Sequence, residues 1–139
     1  SPAVPTLPSL TMGLVSPTQY VTAFCVIFGV YGAQMLLTPD KLTTQFFKVP
    51  ATKMLRFWVR GISVPIFSLC FALYKLMEHD AMLALQISVV SAIGIAALHP
   101  FNAKFGYLDK LPVIYPKHYE PEILVGTLVL VGLYVLATA

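Results

Sequence analysis

The residues whose types could do chemistry are concentrated between residues 98 and 123, in the stretch LHPFNAKFGYLDKLPVIYPKHYEPEI. This stretch holds two of the three histidines, His99 and His118, together with the acids Glu120 and Glu122. Imidazoles and carboxylates bind metals and move protons, and the His118-x-Glu120 spacing brings two such groups near each other. The residue types therefore fit either a reaction centre or the polar connection between two membrane helices.

The arrangement of these residues favours the membrane connection. The stretch is rich in proline, and it lacks both the i, i+4 spacing of helical zinc motifs and the Glu-x-x-His of di-iron bundles. The stretch also contains tyrosines and lysines, types that concentrate where a bilayer meets water, namely Tyr107, Tyr115, Tyr119, Lys104, Lys110 and Lys117. We therefore predict no catalytic residue and no metal site, and we expect no small-molecule substrate.

The composition indicates that the elements around this stretch are membrane helices. Hydrophobic residues make up 58% of the 139 residues and charged residues only 11%, whereas a water-soluble domain carries about 25% charged residues. Four apolar runs cover residues 20–37, 54–76, 81–101 and 123–139. Each run is near the roughly 20 residues that a helix needs to cross a bilayer. We predict an all-α integral membrane protein with four transmembrane helices in an antiparallel bundle, forming one domain over residues 17–139.

Local signals place several helix ends. Ser16 and Gln19 have capping-box spacing at the start of the first span, and the segment TPDKLTTQFF predicts a short interfacial helix after it. The third span should stop at His99, because the following proline disfavours a helical residue before it. Residues 1–16 are expected to form an extended arm. The Ser-Pro start, in place of Met, suggests that a targeting segment has been removed.

The basic residues predict the orientation in the membrane. Eight of the nine lie on the side of the two long connections, and only Lys75 lies on the side of the termini. By the positive-inside rule, the connections then face cytoplasm, matrix or stroma. No run of like charge and no basic stripe with interleaved aromatic residues is present, so nucleic acid is not an expected partner.

Small residues recur at every fourth position of the third span. Ala84, Ser88, Ala92 and Ala96 would lie on one face of a helix, where small side chains let two helix backbones approach closely. This pattern predicts specific helix packing. The facing helix could belong to this chain or to another subunit.

Arg56 and Arg60 lie on one face at the start of the second span, near Trp58. Positive charge near a helix N-terminus opposes the helix dipole, so another interaction must favour these side chains there. One explanation is anchoring to lipid phosphate, with Trp58 in the interfacial aromatic belt. The other is an ion pair with a neighbouring protein or with one of the acids Asp40, Glu120 and Glu122.

Cofactor ligation is a role that needs few polar groups. Six side chains could supply an axial ligand to a chlorophyll magnesium: His79, His99, His118, Gln34, Gln86 and Asn102. For each histidine, a solvated position at the membrane interface is the competing interpretation. The charged residues avoid the centres of the spans, so transport by this chain alone is not expected.

Three segments, KVPATKMLRFWVRG, HPFNAKFGYL and LPVIYPKHYEPEIL, resemble small four-helix membrane proteins of algal organelles. The similarity is to an accessory subunit of the photosystem I light-harvesting supercomplex of red-lineage algae. It implies a chloroplast thylakoid location with lumenal termini and stromal connections, contact with chlorophyll, carotenoid and lipids, and a role in bridging the core to its antennae. The charge bias is equally compatible with the mitochondrial inner membrane.

These observations lead to a primary hypothesis and two alternatives. The chain is expected to be a non-catalytic structural subunit of a multisubunit membrane complex, with other membrane subunits and lipids as its partners. One alternative is a small membrane enzyme or redox carrier that acts on a lipid or quinone at the basic side through His99, His118 and Glu120. The other, a channel formed by oligomerisation, would need a polar pore face that the spans lack.

Overall fold

The computed structural model describes residues 14–139, which form six α-helices and no β-strand. Most of the arm predicted over residues 1–16 lies outside the described residues. Four helices are long and apolar enough to span a membrane, which confirms the predicted all-α membrane bundle. They are α1 (Pro17–Leu37), α3 (Lys53–Leu76), α4 (Ala81–Leu98) and α6 (Tyr119–Thr138), and two short helices, α2 (Pro39–Phe46) and α5 (Pro100–Phe105), follow α1 and α4.

The beginning of α1 has the predicted capping box. The Ser16 hydroxyl accepts a hydrogen bond from the Gln19 backbone N–H at 3.1 Å, and the Gln19 side chain accepts one from the Ser16 N–H at 2.9 Å. These bonds satisfy backbone donors that a helix N-terminus otherwise leaves without partners. The predicted interfacial helix is α2, which begins with Pro39 at its first position.

The third span ends where proline interrupts it. Helix α4 stops at Leu98, His99 has non-helical φ and ψ of −110° and −90°, and α5 begins at Pro100. Gly106 ends α5 with a φ of 68°, in the left-handed region that glycine adopts without steric cost. A Cβ atom at Gly106 would also lie 2.6 Å from the Cβ of Lys110, so the turn requires glycine.

The bundle is built from two antiparallel pairs, α1 with α3 and α4 with α6, and α1 and α4 join the pairs. The small-residue stripe on α4 is buried inside the bundle, since Ala84, Ser88 and Ala92 have 0% exposure and Ala96 has 6%. The stripe therefore serves packing within this chain, where small side chains allow close helix contact.

The helices pack closely around Tyr20 of α1. Its hydroxyl donates a 2.7 Å hydrogen bond to the Leu128 carbonyl of α6. A Cβ atom at Gly132 would lie 2.6 Å from this hydroxyl and 2.7 Å from Val89 Cγ2. Glycine at position 132 thus permits α1, α4 and α6 to meet at one point. By contrast, α3 is peripheral and buries only Ser63 and Leu73.

Candidate functional site

Helix α6 begins earlier than the sequence pattern suggested, and this changes the geometry of its first turn. The fourth span was expected from residue 123, but α6 starts at Tyr119, with His118 as the residue that precedes the first turn. Proline is tolerated in the first turn of a helix, so Pro121 does not delay the start. His118 and Glu122 are consequently one turn apart on the same face, an i, i+4 pair of histidine and carboxylate that the sequence analysis did not consider.

The two side chains are joined in the protein interior. His118 Nδ1 lies 3.0 Å from Glu122 Oε2, and the exposed fractions of the side chains are 1% and 6%. Lys104 of α5 places its Nζ 2.7 Å from Glu122 Oε1. A buried carboxylate is costly unless it is paired. Here Oε2 contacts His118 Nδ1 at hydrogen-bond distance, and Oε1 forms a close ion pair with Lys104 that lacks the geometry of a hydrogen bond. We call His118, Glu122 and Lys104 the histidine cluster.

The cluster fixes the chemistry of the imidazole. An ionised carboxylate can only accept hydrogen bonds, so Nδ1 of His118 must be the donor in the contact with Glu122. In the neutral ring, the other nitrogen then carries the free lone pair. Nε2 of His118 is buried and has no hydrogen-bond partner within residues 14–139. The lone pair of Nε2 is therefore enclosed by the protein, and no hydrogen-bond donor of residues 14–139 reaches it.

His118 is buried because the two long connections fold over it. The Lys48 N–H donates to the Pro112 carbonyl and the Ile114 N–H to the Phe46 carbonyl, both at 2.8 Å. These bonds hold the two connections side by side. Three aromatic rings surround the imidazole, with centroid distances of 5.3 Å for Phe47, 6.0 Å for Tyr115 and 6.3 Å for Phe46. The interpretation of His118 as a solvated interfacial histidine was therefore wrong.

A partly open cavity of about 450 Å³ lies beside the cluster. Its wall is mostly apolar and includes His118 and His99 as well as residues of α1, α2, α3 and α4, among them Phe28, Tyr31, Phe46, Ile66 and Leu98. The Tyr31 hydroxyl is also buried and lies close to the carboxylate of Glu120, a hydrogen-bond acceptor, although the two do not have the geometry of a regular hydrogen bond. Three buried polar side-chain atoms lack a regular hydrogen bond in the described part of the chain; two belong to residues of this wall, Tyr31 and His118, and the third is Oε1 of Glu122.

The six predicted cofactor ligands do not converge on one place. His99, His118 and Asn102 contribute to the cavity wall, whereas Gln34 does not. His79 and Gln86 are exposed on the bundle surface, at the turn before α4 and within α4. The structure therefore brings together only the ligands on the side of the long connections.

Asn102 has a structural role in the connection after α5. Its Oδ1 accepts hydrogen bonds from the backbone N–H groups of Leu108 and Asp109, both at 2.9 Å. Its Nδ2 donates to Asp109 Oδ2 at 3.1 Å and to the Leu98 carbonyl at 3.3 Å. Because both ends of the amide are occupied, Asn102 organises the turn and has no free oxygen to offer a metal.

The arginines of α3 bind groups of this chain. Arg56 contacts Asp40 of α2 through two nitrogens, with Nη2 at 2.8 Å from Oδ2 and Nε at 3.1 Å from Oδ1. These hydrogen bonds lower the pKa of Asp40. Arg60 Nε donates to the Leu36 carbonyl at 3.2 Å, at the end of α1, where carbonyls lack helical partners. Trp58 is 61% exposed. Of the three acids considered for Arg56, Asp40 is its partner.

The sequence signal that was missed is the spacing His118-x-x-x-Glu122, which becomes visible only when the helix start is placed correctly. Within residues 14–139, no three His, Cys, Asp or Glu side chains lie close enough together to hold a metal ion. No protein-family model, curated protein or solved structure matches this chain.

Proposed function

We propose that the chain is a non-catalytic structural subunit of a multisubunit membrane complex, in which it bridges or stabilises neighbouring subunits. The observation that carries the proposal is the mutual pairing of the polar side chains on the basic side. Arg56 is paired with Asp40, and Lys104 and His118 are paired with Glu122. Such satisfied polar networks rigidify a structure and specify one arrangement. A rigid, small bundle suits a scaffold.

The complex is proposed to be photosystem I with its antennae. The three segments that resemble the accessory subunit support this assignment, and the excess of basic residues on one side supports stromal connections and lumenal termini in the thylakoid membrane. Chlorophyll and carotenoid would contact the outer faces of the bundle, where His79 and Gln86 are exposed. The mitochondrial inner membrane is the alternative location.

The test is mild detergent extraction of the native membrane, separation by size, and an absorption spectrum and mass spectrometry of the fraction that contains this chain. We expect co-migration with a large chlorophyll-bearing particle. A large particle rich in haem or flavin would keep the scaffold role but move it to respiration. Migration as a small, colourless species would contradict the proposal.

A second candidate function is a small membrane enzyme or redox carrier that acts on a lipid or quinone. The observation in its favour is that His99 and His118 belong to one cavity wall. Glu120, the third residue of that hypothesis, is exposed, and the carboxylate bound to His118 is that of Glu122. The hypothesis predicts that His118→Ala abolishes turnover of the lipid or quinone while the chain still assembles into its complex. Unchanged turnover in this variant would contradict the hypothesis.

A further inference from the structure

We propose that the cavity beside the histidine cluster takes up one acyl chain of a membrane glycerolipid, while the head of that lipid stays at the membrane interface. The acyl chain enters from the bilayer between α3 and α4. The proposal goes beyond the structural role proposed above, and it does not depend on which complex the protein joins.

The first argument concerns the polar side chains of the cavity wall, which are enclosed or bonded to the protein itself. His118 Nε2 and the Tyr31 hydroxyl are enclosed by the protein. Asn102 donates to Asp109 Oδ2 at 3.1 Å, and the Thr43 hydroxyl donates to backbone carbonyls of its own helix. These groups do not select a polar ligand, so the apolar surface of the wall determines what the cavity holds.

The second argument concerns the space that this apolar surface encloses. Filling a volume of about 450 Å³ with liquid water would take about fifteen molecules at ~30 Å³ each, and each water needs several polar partners. The mostly apolar wall cannot supply them. An empty space would forfeit the dispersion contacts of its lining atoms. A hydrocarbon chain makes these contacts with Phe28, Ile95 and Val125 and needs no polar partner.

The third argument concerns the mouth of the cavity, where its exposed wall residues lie: Ile62, Leu98, His99, Asp109 and Leu111. Ile62 is about 13 Å along α3 from Lys53, at ~1.5 Å per residue, a depth at which the helix is surrounded by hydrocarbon. His99, the remaining polar side chain of the wall, lies beyond the end of α4, as Asp109 does. The mouth is therefore apolar toward the bilayer core and polar toward the interface, which suits a lipid tail that enters while its head stays outside.

The arrangement of the helices leaves a path for the tail. Helices α3 and α4 belong to different pairs of the bundle, and the turn at residues 77–80 joins them at the end remote from the long connections. An acyl chain can thus pass between them on the side of the connections without separating either pair.

The test uses the full protein in phosphatidylcholine nanodiscs that contain a small fraction of a phosphatidylcholine with a diazirine in the middle of one acyl chain. Ultraviolet light converts the diazirine to a carbene, which inserts into neighbouring bonds, and mass spectrometry locates the label. We expect label on Phe28 and Val125, which line the cavity and are only 4% and 3% exposed. Leu85 and Val135, buried outside the cavity, should carry none, while bulk lipid labels Leu130 on the outer surface.

Ile95→Phe enlarges a side chain of the wall and should remove most of the label from Phe28 and Val125, because the larger side chain takes up space in the cavity. Ile93→Phe is the matched control, since Ile93 is exposed on the same helix and lies outside the wall, and its labelling should equal that of the wild type. The same diazirine chain on phosphatidylglycerol should give the same pattern, because the cavity selects the tail and not the head.

Absence of label from Phe28 and Val125 in the wild type, or equal label on Leu85 and Val135, would overturn the proposal. Labelling by phosphatidylglycerol but not by phosphatidylcholine would also overturn it, since the head would then be the group that is recognised. If Ile95→Phe fails to fold by circular dichroism, Ala103→Leu takes its place, at another buried position of the wall. Full labelling in the folded wall variant would contradict entry of the acyl chain into the cavity.

Discussion

Two cation–carboxylate contacts on the same side of the bundle differ mainly in their surroundings. The Arg56–Asp40 ion pair joins α3 to α2 at 2.8 Å, and the histidine cluster joins α5 to α6, with Lys104 and Glu122 at 2.7 Å. The two cations are equally exposed, Arg56 at 36% and Lys104 at 35%, but the carboxylates differ, since Asp40 is 42% exposed and Glu122 only 6%. Exposed ion pairs contribute little to stability, while removing one partner of a buried pair leaves a costly unpaired group.

The comparison shows that interatomic distance alone does not measure the importance of a contact. Glu122 is shielded because the two long connections are held together over His118, through the Phe46–Ile114 and Lys48–Pro112 hydrogen bonds. The Asp40 side chain, by contrast, is 42% exposed. We therefore expect the histidine cluster to control the stability of this side of the protein and the Arg56–Asp40 pair to adjust it only slightly.

The largest effect is expected for Glu122→Ala. The change leaves the Nδ1–H of His118 buried without an acceptor and Lys104 without its anion, and the free energy of unfolding should fall by about 1–3 kcal/mol. Thermal unfolding in mild detergent measures the loss. Glu120→Ala removes an exposed neighbouring carboxylate and should have a clearly smaller effect. Equal losses in the two variants would show that the burial of Glu122 is unimportant.

A smaller loss of stability is expected for Lys104→Met, which keeps the apolar stem of the side chain and removes its charge. Glu122 then retains the hydrogen bond from His118, so the cost of burying its carboxylate is still partly offset. The melting temperature should lie between those of the wild type and Glu122→Ala. Lys117→Met, at an exposed lysine of the same connection, is the control and should melt with the wild type. If the Lys104→Met protein were as unstable as Glu122→Ala, Lys104 alone would account for the stabilisation of the buried Glu122 carboxylate.

Asp40→Asn should have a smaller effect still, and salt should distinguish it from Glu122→Ala. The exposed Arg56–Asp40 pair is screened by dissolved ions, whereas the buried cluster is screened much less. Melting temperatures at low and high salt should show that the Asp40→Asn effect shrinks with salt and that the Glu122→Ala effect persists. A loss for Asp40→Asn that does not depend on salt would contradict the comparison.

The smallest effect is the pH dependence of the Arg56–Asp40 pair. Hydrogen bonds from Arg56 lower the pKa of Asp40 in the folded protein, so its contribution is complete above the ordinary pKa of aspartate, about 4. The contribution is lost as the pH falls through the lowered pKa. The difference in melting temperature between wild type and Asp40→Asn should stay constant from neutral pH to about pH 5 and decrease below about pH 4. A difference that grows toward low pH would reverse the assigned sign.

The features of the fold that depend only on neighbouring residues could be predicted from the sequence. The length and apolarity of the four runs predicted the spanning helices, and the Ser16-to-Gln19 box, Pro39 and Pro100 predicted where helices begin or end. These signals are strong because the backbone requirements of a cap or a proline are met within a few residues. The stripe from Ala84 to Ala96 predicted close packing, but not whether its partner was internal.

The pairing of the polar side chains on the basic side depends on contacts between distant segments and could not be predicted in this way. No pattern in the sequence predicts that Lys104 forms an ion pair with Glu122 or that the connections cover His118. Nor does any pattern predict that the Asn102 side chain is fully hydrogen-bonded within its own turn. Even the contact of His118 with Glu122 depended on a helix that begins four residues earlier than its apolar run. Burial and pairing arise from distances between segments that are remote along the chain. Those distances are fixed when the helices pack and the connections close over them.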